Sequence, residues 1–208
     1  MLDFIQSALS TIYNVPEIIR LGGLVGLSAI VFAETGLMVG FFLPGDSLLV
    51  TAGLFAARGD LDITLLNVAA IVSAVVGDAT GYWVGFRAGR ALYNRPNSFF
   101  FRRDHLLKSE QFYRRHGGKT IVIARFIPIV RTFAPVVAGA ARMQYRQFAY
   151  YNIAGGLLWV LSMTLAGYFL GRTIPNIEKN IHLVVGAVIA LSLLPGIIAW
   201  LRESRSRT

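Results

Sequence analysis

Residues 120–135 read Thr120-Ile121-Val122-Ile123-Ala124-Arg125-Phe126-Ile127-Pro128-Ile129-Val130-Arg131-Thr132-Phe133-Ala134-Pro135. Two arginines stand in an otherwise apolar run, and two prolines interrupt it. The apolar stretch 120–141 barely reaches the length of roughly 20 residues that a helix needs to cross a bilayer. Proline inside a helix removes a hydrogen bond and breaks or kinks it. Broken backbone at membrane depth persists only where protein or a water-filled cavity surrounds it. The stretch therefore predicts a re-entrant hairpin or a broken helix.

The rest of the chain makes a membrane the natural setting. Of 208 residues, 55% are hydrophobic and 15% charged, and the mean hydropathy is +0.58. Soluble domains carry about 25% charged residues, and a short monomer lacks the interior volume to hide so much apolar surface. A soluble globule and a disordered chain are both excluded. The absence of cysteine removes disulfides, a thiol nucleophile and Cys-ligated metal, and leaves the compartment unread.

Further apolar stretches lie at about 21–43, 47–57, 64–86, 148–170 and 181–201. The stretches 64–86, 148–170 and 181–201 read as full spans. The 47–57 stretch is too short to cross alone and follows the turn sequence Pro44-Gly45-Asp46, so 33–57 reads as a second broken element. The expected fold class is all-α: a polytopic membrane protein with two inverted re-entrant helical hairpins plus about three full transmembrane helices. Its breaks are expected at Pro44, Gly45, Pro128 and Pro135. The start lacks the basic region and small-residue cleavage site of a secretory signal, and 1–20 reads as an interfacial segment. A membrane domain is expected over 21–175 and a last helix with a basic tail over 176–208.

Charge sets the expected orientation. The segment 87–119 holds nine of the 20 Lys and Arg residues against two acids, Asp104 and Glu110, and the tail adds Arg202, Arg205 and Arg207. Basic loops face the cytoplasm, so the 87–119 loop and the C-terminus are both expected there. Arg142 and Arg146 agree, which makes 120–141 enter and leave on one side. Beside a membrane such a loop reads as a topology signal and a contact for anionic headgroups. Phe99, Phe100, Phe101, Phe112 and Tyr113 among the bases suit an interfacial amphipathic stretch. No nucleic-acid-binding motif is present.

The two halves resemble each other. Gly81-Tyr82-Trp83-Val84-Gly85 matches Gly167-Tyr168-Phe169-Leu170-Gly171 at an offset of 86 residues, as Ala52-Gly53 matches Ala138-Gly139. Phe42-Leu43-Pro44 matches Phe126-Ile127-Pro128 at an offset of 84, and Asp46 falls opposite Arg131. Repeats over about 21–90 and 120–175 with opposite topology point to a transporter with a site near the midplane. Gly77, Gly81, Gly85 and Gly89 recur every four residues, a ridge that lets another backbone come close.

Glu34, Asp46, Asp78, Arg125 and Arg131 all lie in apolar stretches. Each Asp or Arg at a helix centre costs roughly 2.5–3.5 kcal/mol on insertion scales, and intramembrane ionisable residues are functional candidates by default. The structural alternatives are specific. Asp46 would be the N-cap of a half-helix, the arginines would pair with Glu34 and Asp46 only to hold the hairpins, and Asp78 would bond a neighbouring helix. In the functional reading, Arg125 and Arg131 bind a phosphate beside half-helix N-termini. Glu34, Asp46 and Asp78 then take up and release protons.

At these residues the chain resembles the DedA family, whose members share the SNARE-associated, or VTT, domain. The resemblance is carried by Phe32-Ala33-Glu34, Phe42-Leu43-Pro44-Gly45-Asp46, Gly81-Tyr82 before Gly85, and His116-Gly117-Gly118-Lys119. It continues through Ala124-Arg125-Phe126-Ile127-Pro128 with Arg131, and Ala138-Gly139, and covers roughly 25–175. It implies a bacterial inner-membrane protein with two re-entrant hairpins. It also implies lipid movement between leaflets, including recycling of undecaprenyl phosphate, and envelope maintenance that depends on the proton motive force. The family's acidic pair falls on Glu34 and Asp46, and its arginine pair on Arg125 and Arg131. Many members have Gly after the proline of the arginine motif, where this chain has Ile129.

The expected function is translocation of a lipid phosphate with proton coupling, and the alternative is a proton-coupled small-ion transporter. An enzyme would need a nucleophile with an activating base. His105, His116 and His182 sit in no such pattern and show no metal-ligand spacing. Neither a cofactor nor a metal is expected. The partners expected are membrane lipids and the lipid-phosphate substrate, and the pattern is compatible with a homo-oligomer.

Overall fold

The computed structural model of the chain describes residues 15–37, 43–93 and 118–173. Their regular elements are all helices, with no strand among the described residues. In chain order the helices are α1 (Val15–Gly36), α2 (Gly45–Ala57), α3 (Ile63–Tyr93), α4 (Lys119–Ala124), α5 (Pro128–Ala140) and α6 (Tyr145–Thr173). Most of the 1–20 segment, the greater part of the basic loop and the expected 181–201 span lie outside the described residues.

Among the described residues two helices are long and apolar enough to cross a membrane, over Ile63–Gly89 and Tyr145–Thr173. They cover the expected spans 64–86 and 148–170. On α3 the exposed residues Leu65, Val68, Val72 and Val76 follow helical spacing and form an apolar stripe. In water such a stripe is a liability, whereas in lipid it is the expected outer face. By contrast α2 and α5 have 13 residues each and α4 has six. At 1.5 Å per residue, 13 residues reach about 20 Å, against the roughly 30 Å of a hydrocarbon core. None of these three helices crosses alone.

Local chemistry explains the boundaries. Asp62 starts α3, its Oδ1 accepting hydrogen bonds from the Thr64 and Leu65 amides, each at 2.8 Å, as an N-cap should. Gly59, with φ of +86°, ends the turn after α2, in the left-handed conformation that glycine adopts without a Cβ clash. Gly23 lies within α1 at φ 52° and ψ −145° and kinks it.

The 120–141 stretch is broken as expected. Arg125 ends α4, Ile127 is extended at φ −115° and ψ 106°, and Pro128 opens α5. A residue before proline is pushed out of the helical region, and proline suits the first helical position because its missing N–H is not needed there. Pro135 behaves differently from expectation. It sits inside α5, which continues to Ala140, so it forgoes one backbone bond without ending the helix. Likewise the N-cap of α2 is Pro44, Gly45 is its first helical residue, and Asp46 lies in the first turn rather than at the N-cap. An acid there still suits the helix dipole.

The chain divides into two compact units. One comprises residues 15–31, 43–72 and 160–173 among those described, and the other comprises 32–37, 73–93 and 118–159. In the first, α2 packs on the end of α6: a Cβ on Gly53 would overlap the Thr164 carbonyl, and one on Gly167 would overlap that of Val50. The Thr164 hydroxyl also donates to Asn67 Oδ1 at 2.6 Å. In the second, α5 packs on α3: a Cβ on Gly139 would overlap the Tyr82 carbonyl, and one on Gly85 that of Val136.

The two packings correspond residue by residue. The short helices match at an offset of 86, Gly53 with Gly139 and Val50 with Val136, while the long ones match at 82, Gly167 with Gly85. Sequence matching pairs Gly167 with Gly81, one helical turn away, because it follows the Gly-Tyr dipeptide rather than the glycine at the contact. The ridge on α3 meets its neighbours closely. Gly77 faces α1 at Phe32 and Gly36, Gly81 faces Pro135, and Gly89 faces Ala140.

Candidate functional site

The second unit gathers polar side chains from four places in the chain. Glu34 ends α1, Asp78 lies on α3, Arg125 sits at the α4–α5 break with Arg131 one turn into α5, and Asn152 and Trp159 come from α6. All six are buried. The α4–α5 break matters here: it turns the backbone between Arg125 and Arg131, so that two residues six apart each find a separate carboxylate.

Arg125 Nη2 donates to Asp78 Oδ2 at 2.5 Å and to Asn152 Oδ1 at 2.5 Å, with the Ala74 carbonyl at 3.4 Å. Asn152 is itself fixed, its Nδ2 donating to the Val75 carbonyl at 3.0 Å. Arg131 Nη2 donates to Glu34 Oε1 in a second buried ion pair. Both guanidiniums lie over one indole. Arg131 Cζ is 4.9 Å and Arg125 Cζ 5.9 Å from the Trp159 ring centroid, within the roughly 6 Å over which a cation is drawn to a ring face.

A buried ion pair holds two desolvated charges that compensate each other, and removal of one partner costs about 3–5 kcal/mol. The cluster is therefore firmly held yet sensitive to charge. Arg125 Nε is buried and makes no hydrogen bond. A buried donor without an acceptor costs about 1–3 kcal/mol, and an incoming anionic oxygen would remove that cost.

The structure brings Glu34, Asp78, Arg125 and Arg131 into one cluster. Asp46 belongs to the other unit, where it is buried in α2. The carboxylate on Arg125 is Asp78 rather than Asp46. Asn152 and Trp159 escaped the sequence reading. Asn152 was visible as a polar residue in an apolar stretch, though a search for ionisable groups passes over it. Trp159 carried no distinguishing signal among the other apolar residues.

A VTT domain model matches residues 43–169, an interval that contains Asp46, Asp78, Arg125, Arg131, Asn152 and Trp159. Over 182 residues the chain is 52% identical to Protein DedA of Escherichia coli K12, covering 86% of this chain and 83% of that one. It is a DedA-family membrane protein. Other members of the family are similar over most of their length. An uncharacterized membrane protein of Mycobacterium leprae is 43% identical, over 86% of this chain and 80% of its own. Inner membrane protein YqjA of Escherichia coli K12 is 39% identical, over 71% and 67%. No solved structure matches this DedA-family chain.

Proposed function

We propose that this DedA-family protein moves a lipid phosphate, of which undecaprenyl phosphate is one example, between membrane leaflets in exchange with protons. The observation that carries the reading is the arginine pair, in which each buried guanidinium is held by a carboxylate and Arg125 Nε has no acceptor. Guanidiniums match phosphate oxygens in geometry and charge.

The exchange follows from charge. Opening either ion pair without replacement would strand a buried guanidinium at a cost of several kcal/mol. A phosphate oxygen is an equivalent replacement, provided the displaced carboxylate takes up a proton. Asp78 and Glu34 would thus be protonated as the phosphate arrives and would release protons as it leaves. Asp46 is the third candidate proton carrier. Asn152 would keep Arg125 in place throughout, because its amide carries no charge to lose. The site binds and transfers, and no bond-breaking step is assigned to it.

Relatives named as membrane and inner membrane proteins support placement in a bacterial inner membrane. The excess of bases in 87–119 and in the tail supports a cytoplasmic side for both. The short helices α2 and α5 would then be arms of re-entrant hairpins, entering and leaving on one side.

The test is leaflet transfer of labelled polyprenyl phosphate in liposomes, with and without an imposed pH gradient. Arg131→Gln should abolish transfer, and Glu34→Gln should leave transfer that no longer responds to the gradient. Full transfer by a well-folded Arg131→Gln protein would refute the reading. A small inorganic anion would meet the same spare donor. Ion flux without lipid substrate, lost in Glu34→Gln, would favour a small-ion transporter instead.

A further inference from the structure

Within the second unit, rings and bases mark a membrane surface beside the cluster. Trp83, Tyr145 and Tyr150 are 46%, 43% and 70% exposed, and the Trp83 and Tyr145 rings lie 5.5 Å apart. Arg87, one turn beyond Trp83, is exposed, as are Arg142 and Arg146 on either side of Tyr145. Exposed Trp and Tyr at headgroup level, with Lys or Arg just outside them, are the signature of a membrane–water boundary. On the other side of the rings the exposed residues turn apolar, with Val76 on α3 and Ile153, Leu157 and Leu158 on α6.

Two members of the cluster lie close beneath that boundary. Asp78 is five residues from Trp83 on α3, and Asn152 is seven from Tyr145 on α6. At 1.5 Å per residue these separations are about 7.5 Å and about 10.5 Å along the helices. Trp159, under both guanidiniums, is 14 residues from Tyr145, about 21 Å along α6. The middle of the hydrocarbon core lies about 15 Å from its edge, so the cluster runs from just beneath the boundary to the midplane expected from the repeat.

The same level carries an apolar apron. Ile123, Phe126, Val130 and Phe133 are exposed, on the helices that hold Arg125 and Arg131 buried. The short α4–α5 segment thus offers guanidiniums inward and hydrocarbon outward, which suits a molecule with a phosphate at one end and a tail at the other.

We infer that the arginine cluster opens toward the leaflet that Trp83, Tyr145 and Tyr150 mark and takes the phosphate of a membrane amphiphile loaded sideways from it. This rests on the phosphate reading above and adds to it the leaflet on which the site opens and the route of loading.

The chain has no cysteine, so a single introduced thiol takes a label uniquely. Val76→Cys and Ile153→Cys lie on exposed positions beside the cluster, and Val84→Cys lies beside the rings. Each variant is spin-labelled in liposomes, and its depth is read from collisions with oxygen and with a water-soluble nickel chelate. The label at 84 should report the boundary, and those at 76 and 153 should lie within about 12 Å of it on the same leaflet. A label at 84 that reports the bilayer centre, or labels at 76 and 153 that report the opposite leaflet, would overturn the inference.

Loading is read with Trp83→Phe/Trp200→Phe protein, in which Trp159 is the remaining tryptophan. Dodecyl phosphate should change Trp159 emission at concentrations about tenfold or more below any effect of inorganic phosphate, as expected when hydrocarbon burial adds to binding. Equal potency of the two would overturn sideways loading. Silence of Trp159 toward both, with labels on that leaflet, would remove the phosphate reading and the ligand assigned here while leaving the leaflet as found.

Discussion

The Arg125 guanidinium and the Asp78 carboxylate meet at 2.5 Å across 47 residues of sequence, both buried. That contact ties the α4–α5 break to α3, and it places a titratable acid on the arginine that has a donor to spare. Much of what the site can do follows from whether this contact is closed or open.

Asp78→Asn keeps the shape and removes the charge, which leaves Arg125 with neutral acceptors. The variant should lose about 3–5 kcal/mol of stability, seen as a lowered Tm of purified protein in detergent. Asp78→Asn combined with Arg125→Gln should recover part of the loss. Strictly additive losses in that double-mutant cycle would mean that the two side chains are not coupled.

Gly139→Ala and Gly53→Ala each place a methyl group on the carbonyl of a packed helix. Overpacking of this kind costs about 1–3 kcal/mol, and both variants should unfold at lower temperature. Gly22→Ala meets nothing within 4 Å and should leave the Tm unchanged or slightly raised. Equal behaviour of the three would contradict the close helix contacts.

Trp159 lies beneath both guanidiniums. Trp159→Leu should raise the half-saturating concentration of lipid phosphate in the leaflet-transfer assay by about thirtyfold, since a desolvated cation–π contact is worth about 2 kcal/mol. Trp159→Phe should retain most of the affinity. Equal behaviour of Leu and Phe would show that the ring face contributes nothing to binding.

Asn152→Asp would give Arg125 a second carboxylate at the same atom. Phosphate must then compete with two acids, so half-saturation should rise at neutral pH by about tenfold and recover in acid, where the new carboxylate is neutral. Asn152→Leu should show no such recovery. A defect in Asn152→Asp that is the same at every pH would reduce Asn152 to packing.

A good part of this was legible in the sequence, for reasons that are local. The break at Arg125–Pro128 and the start of α2 after Pro44 follow from proline chemistry, and α3 and α6 follow from uninterrupted apolar length. What was not legible depends on which helices touch. Asp46 and Asp78 are both aspartates in apolar stretches, and only the packing of α3 on the α4–α5 segment assigns Asp78 to Arg125. Pro135 looked like a second break, yet tertiary packing carries α5 past it. The register between the halves was read one turn off because Gly-Tyr repeats in sequence whereas Gly85 and Gly167 make the matching contacts.

The most direct measurement is a density map of the protein in lipid nanodiscs loaded with polyprenyl phosphate. The account predicts a phosphate within hydrogen-bonding distance of Arg125 Nε and of the Arg131 guanidinium, with the Asp78 and Glu34 carboxylates withdrawn. A bound lipid phosphate lodged elsewhere, with both ion pairs still closed, would contradict it.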